Sequence, residues 1–398
     1  MAVALFGTGI TTKALAKHLS DVVFFDDNAT SAYYNDDGYI VKPSYTYNPK
    51  EFEYAIPSPG IAPDNPLIQK TPRLISEYDF FAPQMPRSIW ISGTNGKTTT
   101  TQMLTHLLQE AKAQSGGNIG TPLGLLDTKA PLWVLETSSF MLHYTNIAKP
   151  DIYLLLPITP DHISWHGDKN AYEQAKLKPL AYMQEGEIAL VPKKYQNTPT
   201  CATLIGYEGC EDLADYFAID ATKVEFKGAF LLDALLALAV KKILFGVVDY
   251  EGINSFVIEP HRQEELHDKN NRLWVNDTKA TNLDATLAAL KRYNEKKIHL
   301  ILGGDDKGVE LTSLFEYIKN KNITTYHIGS NASRLDTLAK KYNIEHYTCI
   351  TLENAIREID KNLQQDQVAL LSPAAASLDQ FSSYKQRGEL FKDTIQKL

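Results

Sequence analysis

Residues 90–101 read WISGTNGKTTTT, and this stretch constrains the chain more than any other. A short apolar run, Ser88-Ile89-Trp90-Ile91, leads into Gly93-Thr94-Asn95-Gly96-Lys97-Thr98-Thr99, and a helix-like segment follows from Thr100 to Lys112. Strand, glycine loop and helix in that order make a seat for anionic oxygens, because loop N–H groups and the positive end of the helix dipole converge there. Lys97 is placed to reach the β- and γ-phosphates of a nucleotide, and the Thr98 hydroxyl to take Mg²⁺. The usual G-x-x-x-x-G-K-[ST] loop is longer between its glycines than Gly93 to Gly96. An ordinary glycine turn before a helix is the plainer alternative, but the strand and helix on either side favour phosphate.

With 398 residues, the chain is long enough for two or three domains. Hydrophobic residues make up 43%, enough for sizeable cores. A net charge of −8 argues against a general nucleic-acid binder, while an anionic substrate would need local positive charge. Cys201, Cys210 and Cys349 lack metal-type spacing and fit a reducing, cytoplasmic setting. The opening MAVALFGTGITTK has no basic residue before its apolar stretch, so it reads as a strand rather than a signal peptide. No apolar run approaches the ~20 residues of a membrane span.

Strands and helices alternate along the chain, which predicts α/β architecture with parallel sheets covered by helices. A first unit holds Val3–Phe6, a helix near Thr11–Leu19, Val22–Phe25 and Tyr54–Ile56. A proline-punctuated segment, Ala82-Pro83-Gln84-Met85-Pro86, reads as a linker. A second unit holds Leu132–Leu135 and Ile152–Leu156 as strands and a helical run at Leu231–Lys242; Ile258-Glu259-Pro260 reads as its boundary. In a third, Ile298–Leu302, Thr325–Ile328 and Val368–Leu371 are strands, and Tyr384–Leu398 is a closing helix. The expected domains are therefore 1–86, 87–258 and 259–398.

Several polar clusters fall just after these strands, where ligands gather in open α/β sheets. Gly7-Thr8-Gly9 follows the first strand and Asp26 ends the second; nucleotide binding and a plain tight turn are equally compatible with so short a motif. Glu136, in Leu135-Glu136-Thr137-Ser138-Ser139, could hold Mg²⁺ or orient water, or Thr137 or Ser138 could simply cap a helix. Thr159-Pro160-Asp161-His162 follows the next strand, and His162 could ligate a metal. His166 lies four residues on, but no third ligand has zinc-type spacing. Lys176 and Lys178 sit in a mixed-polarity helical segment and, on composition, read as solvated. Pro260-His261-Arg262, Asn276-Asp277-Thr278-Lys279-Ala280-Thr281-Asn282, Gly303-Gly304-Asp305-Asp306-Lys307 and Ser372-Pro373-Ala374-Ala375-Ala376-Ser377 mark a rim of polar loops in the third unit. Arg262, permanently charged, suits a phosphate oxygen.

Taken together, GTNGKTT, ETSSF, TPDH, AKLK, PHR, NDTKATN, LILGGDDKG and LSPAAASLDQFSSYKQRGELF occur in the order of the Mur ligases of peptidoglycan synthesis, and the chain resembles that family. The last motif resembles its D-glutamate-adding branch. The resemblance implies three domains: a Rossmann-like N-terminal domain for the UDP-bearing substrate, a central P-loop ATPase-type domain, and a Rossmann-like C-terminal domain that closes over both. It implies an ATP-dependent ligase joining D-glutamate to UDP-N-acetylmuramoyl-L-alanine, cytoplasmic and monomeric. Gly93, Thr94, Asn95, Gly96, Lys97, Thr98 and Thr99 would hold the triphosphate, with Arg262 and Asp277 also on ATP. Thr98 and Glu136 would bind one Mg²⁺, and His162 a second together with Lys176, which in this family is N-carboxylated by CO₂. Lys279, Thr281, Lys307, Ser377 and Phe381 would form the D-glutamate pocket, Asn118 would touch the muramoyl group, and Gly9, Asp26 and Ser58 would line the uridine site. Lys97, His162, Lys176 and Lys307 would be catalytic. Two positions depart from the family: Asp233 where an adenine-contacting asparagine is usual, and Asn28 where a basic residue is common near the uracil.

Other readings are another Mur ligase or a folylpolyglutamate synthase, a non-catalytic nucleotide-binding protein, and a dehydrogenase suggested by Gly7-Thr8-Gly9. The SPAAASLDQF segment disfavours the first two. Joint retention of Lys97, Glu136, His162 and Lys176 disfavours the third, and the Lys97 loop would be unexplained in the fourth.

Overall fold

A computed structural model describes residues 2–306 and 309–398. Among these, the strands form three sheets of five, six and six strands. The first contains β1 (Ala2–Phe6), β2 (Val22–Asp26), β3 (Tyr33–Tyr34), β4 (Ile40–Pro43) and β5 (Phe52–Pro57), in the order β3-β4-β2-β1-β5. The second contains β6 (Ser88–Ser92), β7 (Gln114–Gly117), β8 (Trp133–Glu136), β9 (Ile152–Leu155), β10 (Ile188–Pro192) and β11 (Thr203–Tyr207), in the order β11-β10-β9-β6-β8-β7. The third contains β12 (Glu264–His267), β13 (Leu273–Asn276), β14 (Ile298–Gly303), β15 (Ile323–Ile328), β16 (His346–Ile350) and β17 (Val368–Leu371), in the order β12-β13-β17-β14-β15-β16. Every pairing in the second sheet is parallel. The expected parallel pairing holds in the sheets except at two edges, where β3 pairs antiparallel with β4 and β12 with β13. Those short edge strands need no crossover helix to reach their neighbours.

The central strands are apolar on both faces, as a doubly covered parallel sheet requires. β6 shows the division: Ile89 and Ile91 point to one cluster with Leu104 and Leu235, while Trp90 points to another with Phe81, Trp133 and Tyr153. The first cluster is built by the helices Lys97–Leu107 and Ala229–Phe245. The second also contains Val3, Leu5, Phe24 and Ile56 of the first sheet, so the first two sheets share one core. Residues 1–256 accordingly form one compact unit and residues 257–398 another. In the second unit, Leu300 and Leu302 face one cluster and Ile301 the opposite one.

Just before the segment read as a linker, residues 82–86, the chain is fastened as a strap. A short helix, Glu77–Phe81, carries a capping box from Ser76 and Asp79, and Phe81 is buried in the shared core. Asp79 Oδ1 accepts the N–H groups of Asn146, Ile147 and Ala148 at 3.1, 2.8 and 2.9 Å, and Oδ2 accepts Asn146 N–H at 2.9 Å. Proline spacing alone cannot distinguish a free linker from a segment fastened by side chains. Since each orphaned buried donor costs about 1–3 kcal/mol, Asp79→Ala is expected to destabilise the chain by about 3 kcal/mol. A urea titration should show the lower midpoint, and an unchanged midpoint would remove Asp79 from this role.

Candidate active site

The glycine loop leaves the C-terminal end of β6, the strand between β8 and β9, so the segments ending in Glu136 and beginning at Leu156 flank it. The helix begins at Lys97 rather than Thr100, with left-handed Gly96 at φ 85° as its cap. A Cβ on Gly93, at φ 139°, would lie 2.5 Å from Leu156 Cβ, and one on Gly96 2.5 Å from Asp233 Oδ1. These two positions demand glycine. Lys97 Nζ folds back onto the carbonyl oxygens of Gly93 and Thr94 at 3.0 and 2.8 Å. The Thr94 hydroxyl donates to Thr159 O at 2.9 Å and meets Tyr172 Oη at 2.9 Å, tying the loop to the segment after β9.

Lys176 is the largest departure from the composition-based expectation of a solvated lysine. It is buried (1% exposed), and its Nζ donates to Gly93 O at 2.7 Å and lies 4.8 Å from the centre of the Tyr172 ring. Burial, with Lys97 nearby, holds its pKa well below that of an ordinary lysine. Lys178 donates to His143 O at 2.6 Å and is half-buried, not a free surface charge. Glu136 is also buried; its Oε1 accepts from Asn118 Nδ2 at 2.6 Å, and its Oε2 has no hydrogen-bond partner. Ser138 does cap the next helix, accepting Met141 N–H at 3.2 Å, so the cap coexists with a Glu136 carboxylate that has one unpaired oxygen. The half-exposed His162, at φ 52°, packs its ring 4.7 Å from Phe140. His166 Nε2 faces Ser139 Oγ at 2.9 Å, and its surroundings lower its pKa to about 4.

No group of three or more His, Cys, Asp or Glu among the described residues is arranged to hold a metal ion. A divalent cation would instead draw on a hydroxyl and lone carboxylates. The buried, unpaired Glu136 Oε2 beside the glycine loop fits that hard-oxygen donor set. Thr98, on the first turn of the Lys97–Leu107 helix, can supply the hydroxyl.

In the first sheet, the ends of β2, β1 and β5 are neighbours. Asp26 Oδ2 accepts the Thr8 hydroxyl at 2.8 Å, and Asp26 Oδ1 accepts Asn28 N–H at 2.8 Å. Ser58 N–H donates to Phe6 O at 2.8 Å, and a Cβ on Gly9 would lie 3.5 Å from Ser58 Oγ. Gly9, Asp26 and Ser58 therefore belong to one edge. Asp233 sits under the glycine loop, where its Oδ1 accepts the Thr100 hydroxyl at 3.1 Å.

In the second unit, β13, β17 and β14 are adjacent, so their three polar loops lie side by side. Asp277 is buried; Oδ2 accepts the Ser372 hydroxyl at 2.7 Å and Oδ1 accepts Gln263 N–H at 3.2 Å. Burial raises its pKa to about 7, against the pull of the Ser372 hydrogen bond and Arg262. Lys279 Nζ lies 4.1 Å from the centre of the Tyr384 ring, whereas Phe381 packs against the apolar cluster of Ile301 and Phe391. Ser377 is buried, and Arg262 Nε stands 3.9 Å from Glu259 Oε2. Lys307 lies outside the described residues.

Sequence reasoning missed Arg387. Its guanidinium is buried, and donates to Thr278 Oγ1 at 2.8 Å, to Thr278 O and Ala375 O at 3.1 Å each, and to Gly303 O at 3.4 Å. One side chain thus staples all three loops. Its signal was the arginine inside SSYKQRGELF, a stretch that served only to carry the family resemblance. Tyr172 and Tyr384 were missed because an aromatic in a helix reads as core.

Asp277 gives a pH test. Its folded-state pKa is above the ordinary 3.8, so the folded state binds the proton more tightly. That stabilisation is present below 3.8 and is lost as pH rises through about 7. Asp277→Asn should therefore raise the melting temperature relative to the native chain above neutral pH and change it little at acid pH. A shift of the same size at both ends would exclude a buried acid.

Residues 91–217 match the family profile of the Mur ligase middle domain, and residues 261–375 that of the Mur ligase, glutamate ligase domain. A UDP-N-acetylmuramoylalanine–D-glutamate ligase of Campylobacter jejuni is 53% identical over 402 aligned positions, covering 100% of both chains. One from Helicobacter pylori is 48% identical over 421 positions, again covering 100% of both. Among solved structures, the MurF ligase of Thermotoga maritima in complex with ADP superposes with a TM-score of 0.60 at 16% identity, over 94% of each chain. E. coli FolC in complex with ADP gives 0.54 at 14% identity, over 78% of this chain and 89% of that one. At such identities the two structures speak for the fold alone.

Proposed function

The chain belongs to the Mur ligase family, and from that membership we propose that it joins D-glutamate to UDP-N-acetylmuramoyl-L-alanine at the expense of ATP. The observation that carries this reading is the buried Lys176 amine on the phosphate-loop carbonyl of Gly93, in a chain that matches D-glutamate ligases along its whole length. A plain ATPase has no need of a desolvated lysine there.

The L-alanyl carboxylate attacks the γ-phosphate of ATP, forming an acyl phosphate and ADP. The amine of D-glutamate then attacks the acyl carbon, phosphate leaves, and the ammonium loses its proton to form the amide. A carboxylate is a poor electrophile until phosphorylated, and two anions must first approach each other. Positioning and electrostatic stabilisation are therefore the work of the site. Gly93, Thr94, Asn95, Gly96, Thr98 and Thr99 hold the triphosphate, and Lys97 swings from its loop carbonyls to the transferred phosphate. A neutral, desolvated Lys176 amine is the form that captures CO₂, so the burial of this side chain favours its carboxylation. Two Mg²⁺ ions, held by Thr98 with Glu136 and by His162 with carboxylated Lys176, would supply charge neutralisation between the anions.

Arg262 and Asp277 contact ATP; Lys279, Thr281, Lys307, Ser377 and Phe381 receive D-glutamate. Gly9, Asp26 and Ser58 take the uridine end, and Asn118 the muramoyl group. The three regions 1–86, 87–258 and 259–398 divide these tasks. Three unpaired cysteines and the use of ATP agree with a cytoplasmic enzyme, and we take it to act as a monomer.

Phosphate release from ATP, measured with UDP-N-acetylmuramoyl-L-alanine and each of D-glutamate, L-glutamate, L-lysine and meso-diaminopimelate, tests the reading. Release should require D-glutamate and the UDP substrate together. Release with another amino acid would overturn the pocket, and ATP binding without turnover would overturn the ligase. Within that assay, Lys307→Ala should raise the KM for D-glutamate more than the KM for ATP. Equal increases would remove Lys307 from the glutamate pocket.

A further inference from the structure

Glu77 is a buried carboxyl that the reaction outlined above does not use. It is 4% exposed, on the strap helix between the first two sheets. Oε1 accepts Gly124 N–H at 3.4 Å, while Oε2 is buried with no hydrogen-bond partner. Glu77 lines a small cavity of about 10 Å³ together with Pro57, Pro59, Ser76, Tyr78, Met141 and Tyr144, which is the size of a single water site. Two features connect this cavity to the uridine edge. Pro57 and Pro59 flank Ser58. Gly124 packs on the helix that starts after Gly9: a Cβ on Gly124 would lie 2.9 Å from Ala14 O, and His18 Nε2 donates to Gly124 O at 2.7 Å.

Burial pushes the Glu77 pKa up to about 8, opposed only by backbone N–H groups. The groups around it do not offset a negative charge. Tyr78 is its helix neighbour, with Glu136 beyond, whose backbone carbonyl lies 3.5 Å from Tyr78 Oη. Tyr144 faces it across the cavity, and His18 reaches it only through the Gly124 carbonyl. Asp79 is turned away onto Asn146–Ala148. Among the described residues no cation is hydrogen-bonded to it.

We propose that Glu77 is a positioning residue for the UDP-bearing substrate: as an uncharged acid it seats the Pro57–Pro59 loop and the Gly124 turn so that Ser58 and Gly9 are aligned, and its ionisation unseats them. An anion here needs more hydrogen bonds than the Gly124 N–H supplies, and the Pro57–Pro59 loop and the Gly124 turn are the segments beside it that would have to shift. The inference rests on the reading of the first sheet as the UDP site.

Calorimetric binding of UDP-N-acetylmuramoyl-L-alanine and of ATP to the full-length protein tests it. If only the neutral acid is competent, affinity for the UDP substrate should fall roughly tenfold between about pH 7 and pH 9, with ATP affinity unchanged. Glu77→Gln, neutral at every pH, should abolish that fall. Independently of any variant, the native chain at about pH 9 should take up close to one proton on binding the UDP substrate, seen by varying the buffer's ionisation heat. An equal alkaline loss for ATP, an unchanged pH response in Glu77→Gln, or absence of proton uptake would each overturn the proposal. Failure to bind the UDP substrate even at pH 7, with ATP still bound, would instead sink the reading of function and take this proposal with it.

Discussion

Parallel pairing at the centre of each sheet is the constraint on which the rest of the structure depends. Parallel strands buried on both faces must all finish at one edge, and each needs a crossover to begin the next. Backbone groups at those ends have no ladder partner and must be satisfied by loops, caps or ligands. Polar residues collect there for that reason. The same arrangement recurs in all three sheets: β2-β1-β5, β9-β6-β8 and β13-β17-β14 each set three strand-end loops side by side. Apolar stretches such as Ile89-Trp90-Ile91 make this possible, since fully burying one large apolar side chain is worth about 1.5–3 kcal/mol.

Two buried basic side chains then divide the work of holding those loops. Lys176 and Arg387 are each 1% exposed, each donates to backbone carbonyl oxygens, and neither has an ion-pair partner among the described residues. Their chemistry differs. A desolvated lysine can give up its proton and become a nucleophile, whereas a guanidinium stays charged at neutral pH even where burial lowers its pKa to about 10. The first is a reactive group placed against the glycine loop; the second is a permanent staple across three loops. The carboxyls mirror this division. Asp79 stays in place by accepting a set of backbone N–H groups, while Glu77 and Asp277 are buried with too few donors, and their pKa values rise to about 8 and 7.

Much of this was legible beforehand where a motif carries its own local geometry. Gly93 to Thr98 reads as strand, loop and helix because glycine spacing and apolar runs act within a few residues, and the parallel architecture follows from alternating strand and helix patterns. Reading failed where the deciding partner is distant in the chain. Lys176 looked solvated because its helix is polar on composition, and nothing nearby says that Gly93, far upstream, supplies its acceptor. The strap at residues 77–81, just ahead of the segment read as a linker, went unread because the acceptor role of Asp79 is settled by residues 146–148. The antiparallel edges at β3 and β12 escaped notice because short strands carry little periodicity.

The sequence by itself determined the strand–glycine loop–helix unit, the α/β class, and the identity and order of the residues offered at the strand ends. Those features follow from short-range rules: periodicity, glycine freedom and helix dipoles. Only the tertiary structure decided which of those residues are desolvated, which share an edge, and which hold one another in place. Burial and hydrogen-bond satisfaction depend on contacts between distant segments. They turned Lys176 from a surface charge into a buried amine, made Arg387 the staple of three loops, and left Glu77 an acid without a counter-charge.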